Sequence, residues 1–417
     1  MRLKTAKDGM EGSYEPSYFI MKIDTSEKLT DNLDRHSQTF IHEYIHFIQD
    51  IFLPYCIRNN VNEVYRFVYV TDKAKEKPIE RPFNEWNHEL SCISRQYDNT
   101  WGNSKPIKKA SSIKSYSREH YVIKEINARV FKYIAHLSSG MEYHVGAKDM
   151  LEYIAHKIEA KHWSTVQPDF PYRTMDFVFE ELGLGDIPMM CKIALTEFCL
   201  HNDNPVHHLF EIIKTIRSEG FGFHGVQQCF YHFDILEYVL QRLLWGARGG
   251  FEETIHTKVE RRLATIREYL SRKYPTDQFR DIDSWFGDVV SYVANNLKGR
   301  LYFSEIYEKN KSEFLAEIDM LISTLGIPLI FNSINEHISL LPNKYNKDSF
   351  IQFYASFIFN EFLKHTDKTC PMCSFCENTN ASIMTDDCIS NVMRRVAEDS
   401  QCPFGKFIYN HEIRIIS

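Results

Sequence analysis

The chain has 417 residues, of which 43% are hydrophobic and 25% charged, with a formal net charge of −7. These values exclude a disordered polyelectrolyte and argue against a dedicated nucleic-acid binder, whose surface would be basic. A chain of this length buries a large core without disulfides, and 30 Phe and 23 Tyr make that core rich in rings. The first residues carry no apolar signal-peptide segment, and no run approaches the roughly 18 apolar residues of a membrane span. A cytoplasmic protein without a membrane partner is therefore expected. In that compartment its ten cysteines read as reduced thiols or metal ligands.

In chain order, residues 18–23 (Tyr-Phe-Ile-Met-Lys-Ile) form a β-prone run. Asp34 and Ser37 are candidate caps for a helix from about Gln38 to about Leu53, ended by Pro54. Residues 77–106 read as mixed loop, with Pro78, Pro82 and Pro106 as breaks, and residues 103–117, rich in Ser and Lys, as an exposed loop. Ile123, Ile126, Val130, Ile134 and Leu137 recur at helical spacing before Gly140, and a second helix is expected over Val145–Lys161. Further amphipathic helices follow at Pro205–Gly220, Ile255–Leu270, Trp285–Leu297 and Phe350–Leu363. The pattern is mainly α (α+β), with a few strands near the N-terminus and after residue 400. It divides into an N-terminal unit with a small sheet (1–165), a helical region (166–365) and a Cys-rich C-terminal segment (366–417).

The first helix contains His42-Glu43-Tyr44-Ile45-His46. Imidazoles at i and i+4 lie one turn apart on the same helix face, which lets both bind one zinc ion, with the intervening carboxylate close to it. Phe40, Ile41, Tyr44, Ile45, Phe47, Ile48, Ile51 and Phe52 surround the pattern, so the helix is apolar nearly all round and should be buried. The polar residues that interrupt it, His42, Glu43, His46, Gln49 and Asp50, then need partners, which a metal and its outer ligands would supply.

Over Ser37–Ile51 the chain resembles the zincin metallopeptidases. The resemblance implies that His42 and His46 bind zinc and that Glu43 is the general base that activates a zinc-bound water for peptide-bond hydrolysis. Metzincins carry Gly at the position of Gln49 and a third His soon after. This chain has neither and is more similar to gluzincins, in which a downstream helix supplies a Glu as third ligand. Leu151-Glu152-Tyr153-Ile154-Ala155, with Glu159 seven residues after Glu152, is similar to that helix, although Tyr153 stands where Gly is usual. Glu152 is thus the leading third ligand and Glu63 the alternative. Gln49, Asp50, His156 and Glu159 are candidates for the outer shell, and His144 for an oxyanion donor.

Cys370, Cys373, Cys376, Cys388 and Cys402 crowd the C-terminal segment. A C-x-x-C turn aims two thiolates at one ion, so a second, structural zinc is expected, with an iron–sulfur cluster or unliganded thiols as alternatives. Cys56, Cys92, Cys191, Cys199 and Cys229 sit among apolar residues and read as core. The function that follows is a zinc-dependent peptidase acting on a protein or peptide, with the helical region contacting a regulatory partner. The alternatives are a non-catalytic, zinc-stabilised interaction module and a hydrolase of non-peptide amides.

Overall fold

The structure is a computed structural model and describes residues 3–5, 12–103, 107, 112–164, 167–219, 228–246, 255–273, 277–366, 368–398 and 402–416. It is mainly helical. The chain opens with β1 (Leu3–Thr5), β2 (Gly12–Glu15) and β3 (Ile20–Ile23), followed by the short α1 (Leu29–Asn32). Three longer helices come next: α2 (Gln38–Phe52), α3 (Pro54–Glu76) and α4 (His88–Trp101). A second sheet, β4 (Ile113–Ile123), β5 (Ala128–Leu137) and β6 (Glu142–Val145), leads directly into α5 (Ala147–His162). The middle of the chain is helical, with α6 (Thr174–Glu181), α7 (Met189–Cys199), α8 (Pro205–Glu219), α9 (Gln228–Tyr231), α10 (Phe233–Gly246), α11 (Thr257–Lys273), α12 (Asp277–Tyr292), α13 (Tyr302–Glu308) and α14 (Lys311–Thr324). Two short strands, β7 (Leu329–Phe331) and β8 (His337–Ile338), precede α15 (Ile351–Lys364). The chain ends in α16 (Cys373–Asn380), α17 (Asp387–Ser390), α18 (Val392–Glu398) and α19 (Pro403–Asn410).

α2 starts where Ser37 Oγ accepts a hydrogen bond from the Phe40 N–H at 3.3 Å. It stops at Leu53, which is extended because Pro54 follows. Every residue of α2 from Thr39 to Phe52 is buried, as its composition demands. The first sheet has the order β1-β2-β3-β7-β8, with β7 parallel to β3 and Ile20 opposite Leu329. One continuous core runs from Tyr14 to Phe350. A second core joins Ile20, Val70, Leu329 and Phe331 to α15 and the C-terminal helices.

Four expectations are corrected. Residues 123–137 are not one α-helix; they are the end of β4, a tight turn at Lys124–Ile126 and all of β5, with the strands paired antiparallel and Ile123 opposite Ala128. Asn127, in the left-handed region at φ 46°, makes the reversal, and Tyr133, Ala135 and Leu137 alternate inward. The stretch read as mixed loop contains α4, whose N-terminus is capped by Asn87 Oδ1 accepting from the Leu90 N–H at 2.7 Å. The exposed loop expected to reach residue 117 gives way to β4 at Ile113, whereas 104–106 and 108–111 fall outside the described residues. After residue 402 the chain forms α19 rather than strands: Pro403 opens it, and Phe404, Phe407 and Ile408 share one buried face. Among the described residues a single bridge, Ile79 to Ile415, remains of the expected pairing there. No described helix is long and apolar enough to cross a membrane.

Two contacts set the position of α5. Gly146 lies against the end of α4 so closely that a Cβ there would sit 2.3 Å from Gly102 N and from Trp101 C. Asp149 then accepts from the Gly146 N–H (2.9 Å), the Tyr143 hydroxyl (2.8 Å) and Thr174 Oγ1 (2.7 Å), which pins the first turn. α5 also packs on α7 and α13. Glu197 of α7 ties these two together: its Oε2 accepts from the N–H groups of Phe303 (3.0 Å) and Ser304 (3.2 Å) and from Ser304 Oγ (3.3 Å). Burial outweighs these donors and pushes the Glu197 carboxyl up to about 8.

Gly146→Ala is expected to cost about 3 kcal/mol, the upper end of overpacking, because the new methyl meets backbone. A fall in the urea midpoint measures it. The Glu197 proton is held more tightly in the folded chain than in the unfolded one, where the carboxyl sits near 4.5. Its contribution to stability is therefore full below 4.5 and is lost as pH rises to about 8. Glu197→Gln should flatten that decline, measured as urea midpoints at about pH 5 and about pH 8.

Candidate metal centre

α2 and α5 pack face to face, and each turns polar residues into the contact. Gln49 Nε2 donates to the Leu151 carbonyl at 3.0 Å and fixes the register of the two helices. At this register three donor atoms converge. His42 Nε2 and His46 Nε2 are 3.1 Å apart, and Glu152 Oε2 lies 3.4 Å from the first and 3.3 Å from the second. All three residues are buried, with exposures of 0% for His42 and Glu152 and 1% for His46.

The outer nitrogens are committed elsewhere. His42 Nδ1 faces Glu159 Oε2 at 2.9 Å, and His46 Nδ1 faces Gln49 Oε1 at 2.8 Å. Gln38 Nε2 donates to the other Glu159 oxygen. An Nδ1–H held by an acceptor leaves Nε2 with its lone pair, the form that binds metal. Two such lone pairs and a carboxylate oxygen then face one another in a dry site, and only a cation reconciles them. Burial works against a charged His42, but Glu152 and Glu159 outweigh it and push the imidazole up to about 10. Burial likewise opposes ionisation of the two carboxylates, and the histidines overcome it, holding both down at about 2.

The donor set fits zinc. Bonds of about 2.0–2.1 Å in a tetrahedron put the ligand atoms about 3.3 Å apart, and the three observed edges match that spacing. Glu152 Oε1 is buried and has no hydrogen-bond partner, which leaves a second oxygen of the same carboxylate facing the centre's surroundings. Among the described residues only one other group of donors converges in this way, at His88, Cys92 and Glu125.

Glu43 is buried on the same helix, close enough to His42 to raise its pKa. β2 runs across it: a Cβ at Gly12 would fall 2.6 Å from Glu43 Oε1 and 2.7 Å from Cγ. The absent side chain at Gly12 is what lets the strand pass over this carboxylate. Tyr172, buried in the segment before α6, brings its ring to 6.1 Å from His42 and 5.7 Å from His156. Nothing in the sequence marked Tyr172, because it belongs to no periodic element.

The other candidates sort as follows. Glu159 and Gln49 hold the two ligand imidazoles, and His156 Nδ1 approaches Glu159 at 3.8 Å. Asp50 does not reach the ligands. Its Oδ2 accepts from the Tyr14 hydroxyl (2.9 Å) and the Ser17 N–H (2.8 Å), so it fastens the first sheet to α2, and burial raises it to about 6. Glu63 is no ligand either; it accepts from the Tyr18 hydroxyl at 2.8 Å, on the outer side of α3. His144 points away from the centre, since its neighbour Tyr143 takes the inward position on β6. The five C-terminal cysteines share the second core, yet no three of their sulfurs form a converging donor group. Burial, with the neighbouring thiols Cys402 and Cys388, pushes Cys376 up to about 11 and Cys370 to about 12. The scattered cysteines Cys56, Cys92, Cys191, Cys199 and Cys229 are all buried, as expected.

No protein-family model, no curated protein and no solved structure matches the chain.

Glu159→Gln keeps the shape of the outer shell and removes the charge behind His42. It is expected to weaken zinc binding by about 10- to 100-fold while leaving the helix content unchanged, measured by competition with a chelating dye and by circular dichroism.

Proposed function

We propose that this chain is a zinc-dependent hydrolase of peptide or related amide bonds. The observation that carries the reading is the triangle of His42, His46 and Glu152, whose edges suit one tetrahedral ion, with Glu43 next to one of the ligands on the same helix. This donor set resembles that of a gluzincin-like zincin. Three protein donors leave a coordination position for chemistry, whereas structural zinc is closed by four. Bound there, zinc would supply Lewis acidity, polarising an amide carbonyl and acidifying a water.

The chain's own residues supply the rest. Glu43, desolvated under β2, takes the proton of the attacking water and returns it to the leaving amine. Glu159 and Gln49 keep both ligand imidazoles turned with Nε2 inward. Tyr172, whose ring lies 6.1 Å from that of His42, is the candidate donor to a developing oxyanion in this reading. The substrate in this reading is a protein or peptide.

Burial favours a second reading. His42, Glu43 and Glu152 are 0% exposed, so a substrate reaches them only when the covering segments move. In a metal-stabilised interaction module no such movement is needed, and the ion serves to clamp α2 to α5. One substitution separates the two. Glu43→Gln should retain one zinc per chain and lower cleavage of a mixed peptide library by at least about 100-fold, followed by mass spectrometry. Equal cleavage by the variant, or none by the native protein, would leave the clamp as the surviving reading.

A further inference from the structure

A second group of donors lies on the other face of α4. His88 and Cys92 are one helical turn apart, and Glu125 sits in the tight turn Lys124–Ile126 that joins β4 to β5. His88 Nε2 is 3.9 Å from Cys92 Sγ and 3.2 Å from Glu125 Oε1, and Glu125 Oε2 is 3.9 Å from the sulfur. By residue type the trio resembles a nucleophile, a base and an orienting carboxylate. Its geometry excludes that role. A relay requires the imidazole to meet the nucleophile with one nitrogen and the carboxylate with the other. Here His88 turns the same nitrogen to both. One nitrogen, one sulfur and one carboxylate face a common point, and that is the requirement of a cation.

We propose that His88, Cys92 and Glu125 form a second site for zinc or a similar thiophilic divalent cation, which fastens the β4–β5 turn to α4. Tetrahedral bonds to nitrogen and oxygen imply an edge of about 3.3 Å, and those involving sulfur edges of about 3.5 Å. The nitrogen–oxygen edge, to Glu125 Oε1, is already in place; the sulfur faces the other oxygen of the same carboxylate, Oε2, and closes on the nitrogen by about 0.4 Å. His88 and Glu125 have side-chain exposures of 71% and 43%, so this site is reachable from solvent, unlike the centre between α2 and α5. Arg95 Nη2 also lies 3.7 Å from Cys92 Sγ.

The site has a structural task. The end of the β4–β5 hairpin is held on α4 by a small separate cluster of Cys92, Ile123 and Val130. The far end of α4 carries Tyr97 and Trp101, which line the cavity beside His46. A cation at His88 therefore anchors the helix whose other end borders the first centre.

The test uses the full-length reduced protein and Co²⁺ as probe. Cobalt bound by a thiolate gives a sulfur-to-metal charge-transfer band in the near ultraviolet, and cobalt held by His42, His46 and Glu152 gives none. The band should appear and should survive His42→Ala/His46→Ala and Cys373→Ser/Cys376→Ser. It should vanish in Cys92→Ser, and His88→Ala and Glu125→Gln should each weaken Co²⁺ binding by at least about 10-fold. His88 and Glu125 are surface side chains, so their variants keep the test valid if Cys92→Ser does not fold. Absence of the band, its persistence in Cys92→Ser, its loss in the Cys373/Cys376 variant, or unchanged affinity in the two surface variants overturns the proposal. None of these outcomes depends on whether the first centre is catalytic.

Discussion

The structure depends on the meeting of two helices whose polar residues have no access to water. α2 is buried on all sides, so His42, Glu43, His46, Gln49 and Asp50 must find partners inside the protein. α5 brings Glu152 and Glu159 to the same contact. Neither set is stable by itself: imidazole lone pairs facing apolar walls, or carboxylates facing apolar walls, would each cost several kcal/mol. Together they cancel much of that cost and leave one residual demand, for a positive charge at the point where two nitrogens and an oxygen converge. The remaining architecture holds the two helices at that register. Gln49 reaches across to a carbonyl of α5, Asp149 and Gly146 fix where α5 begins, and Asp50 ties α2 to the first sheet.

The parts of this arrangement legible in the sequence were those written within single helices. His42, Glu43 and His46 are near neighbours on one helix, and their apolar surroundings announce burial. Glu152 and Glu159 lie seven residues apart on another helix, with an apolar face opposite. What could not be read was how separate elements meet. Asp50 falls in sequence among the metal-facing residues, yet a turn of helix swings it toward Tyr14 and Ser17. His144 seemed close to Glu152 along the chain, but a strand alternates faces, and Tyr143 holds the inward one. Tyr172 comes from a segment with no periodicity at all.

The misread sheet has a physical cause as well. Ile123, Ile126, Val130, Ile134 and Leu137 are spaced by three and four residues, which satisfies a helical template. In the fold, Ile123 and Val130 sit on opposite strands of a hairpin, so their spacing counts across a turn and carries no periodicity. The reversal is made by Asn127, a residue tolerant of the left-handed region. β-branched and aromatic residues in Val130–Ile134 then favour the extended chain. A pattern of apolar residues cannot distinguish these cases when a hairpin folds inside its window.

The burial that makes the centre electrostatically demanding also limits what it can do. In a dry site each hydrogen bond and each charge acts at low dielectric, so the base proposed at Glu43 would exert a larger effect than it would in water. The same dryness keeps substrates out. A hydrolase with this geometry must spend part of its time open, and only the open fraction meets substrate, so its apparent affinity falls in proportion to that fraction. β2 crosses Glu43 at Gly12, and Tyr14, two residues further along the same strand, donates to Asp50 of α2. The strand over the proposed base is therefore fastened to the helix that carries it, and access by that route requires this bond to break.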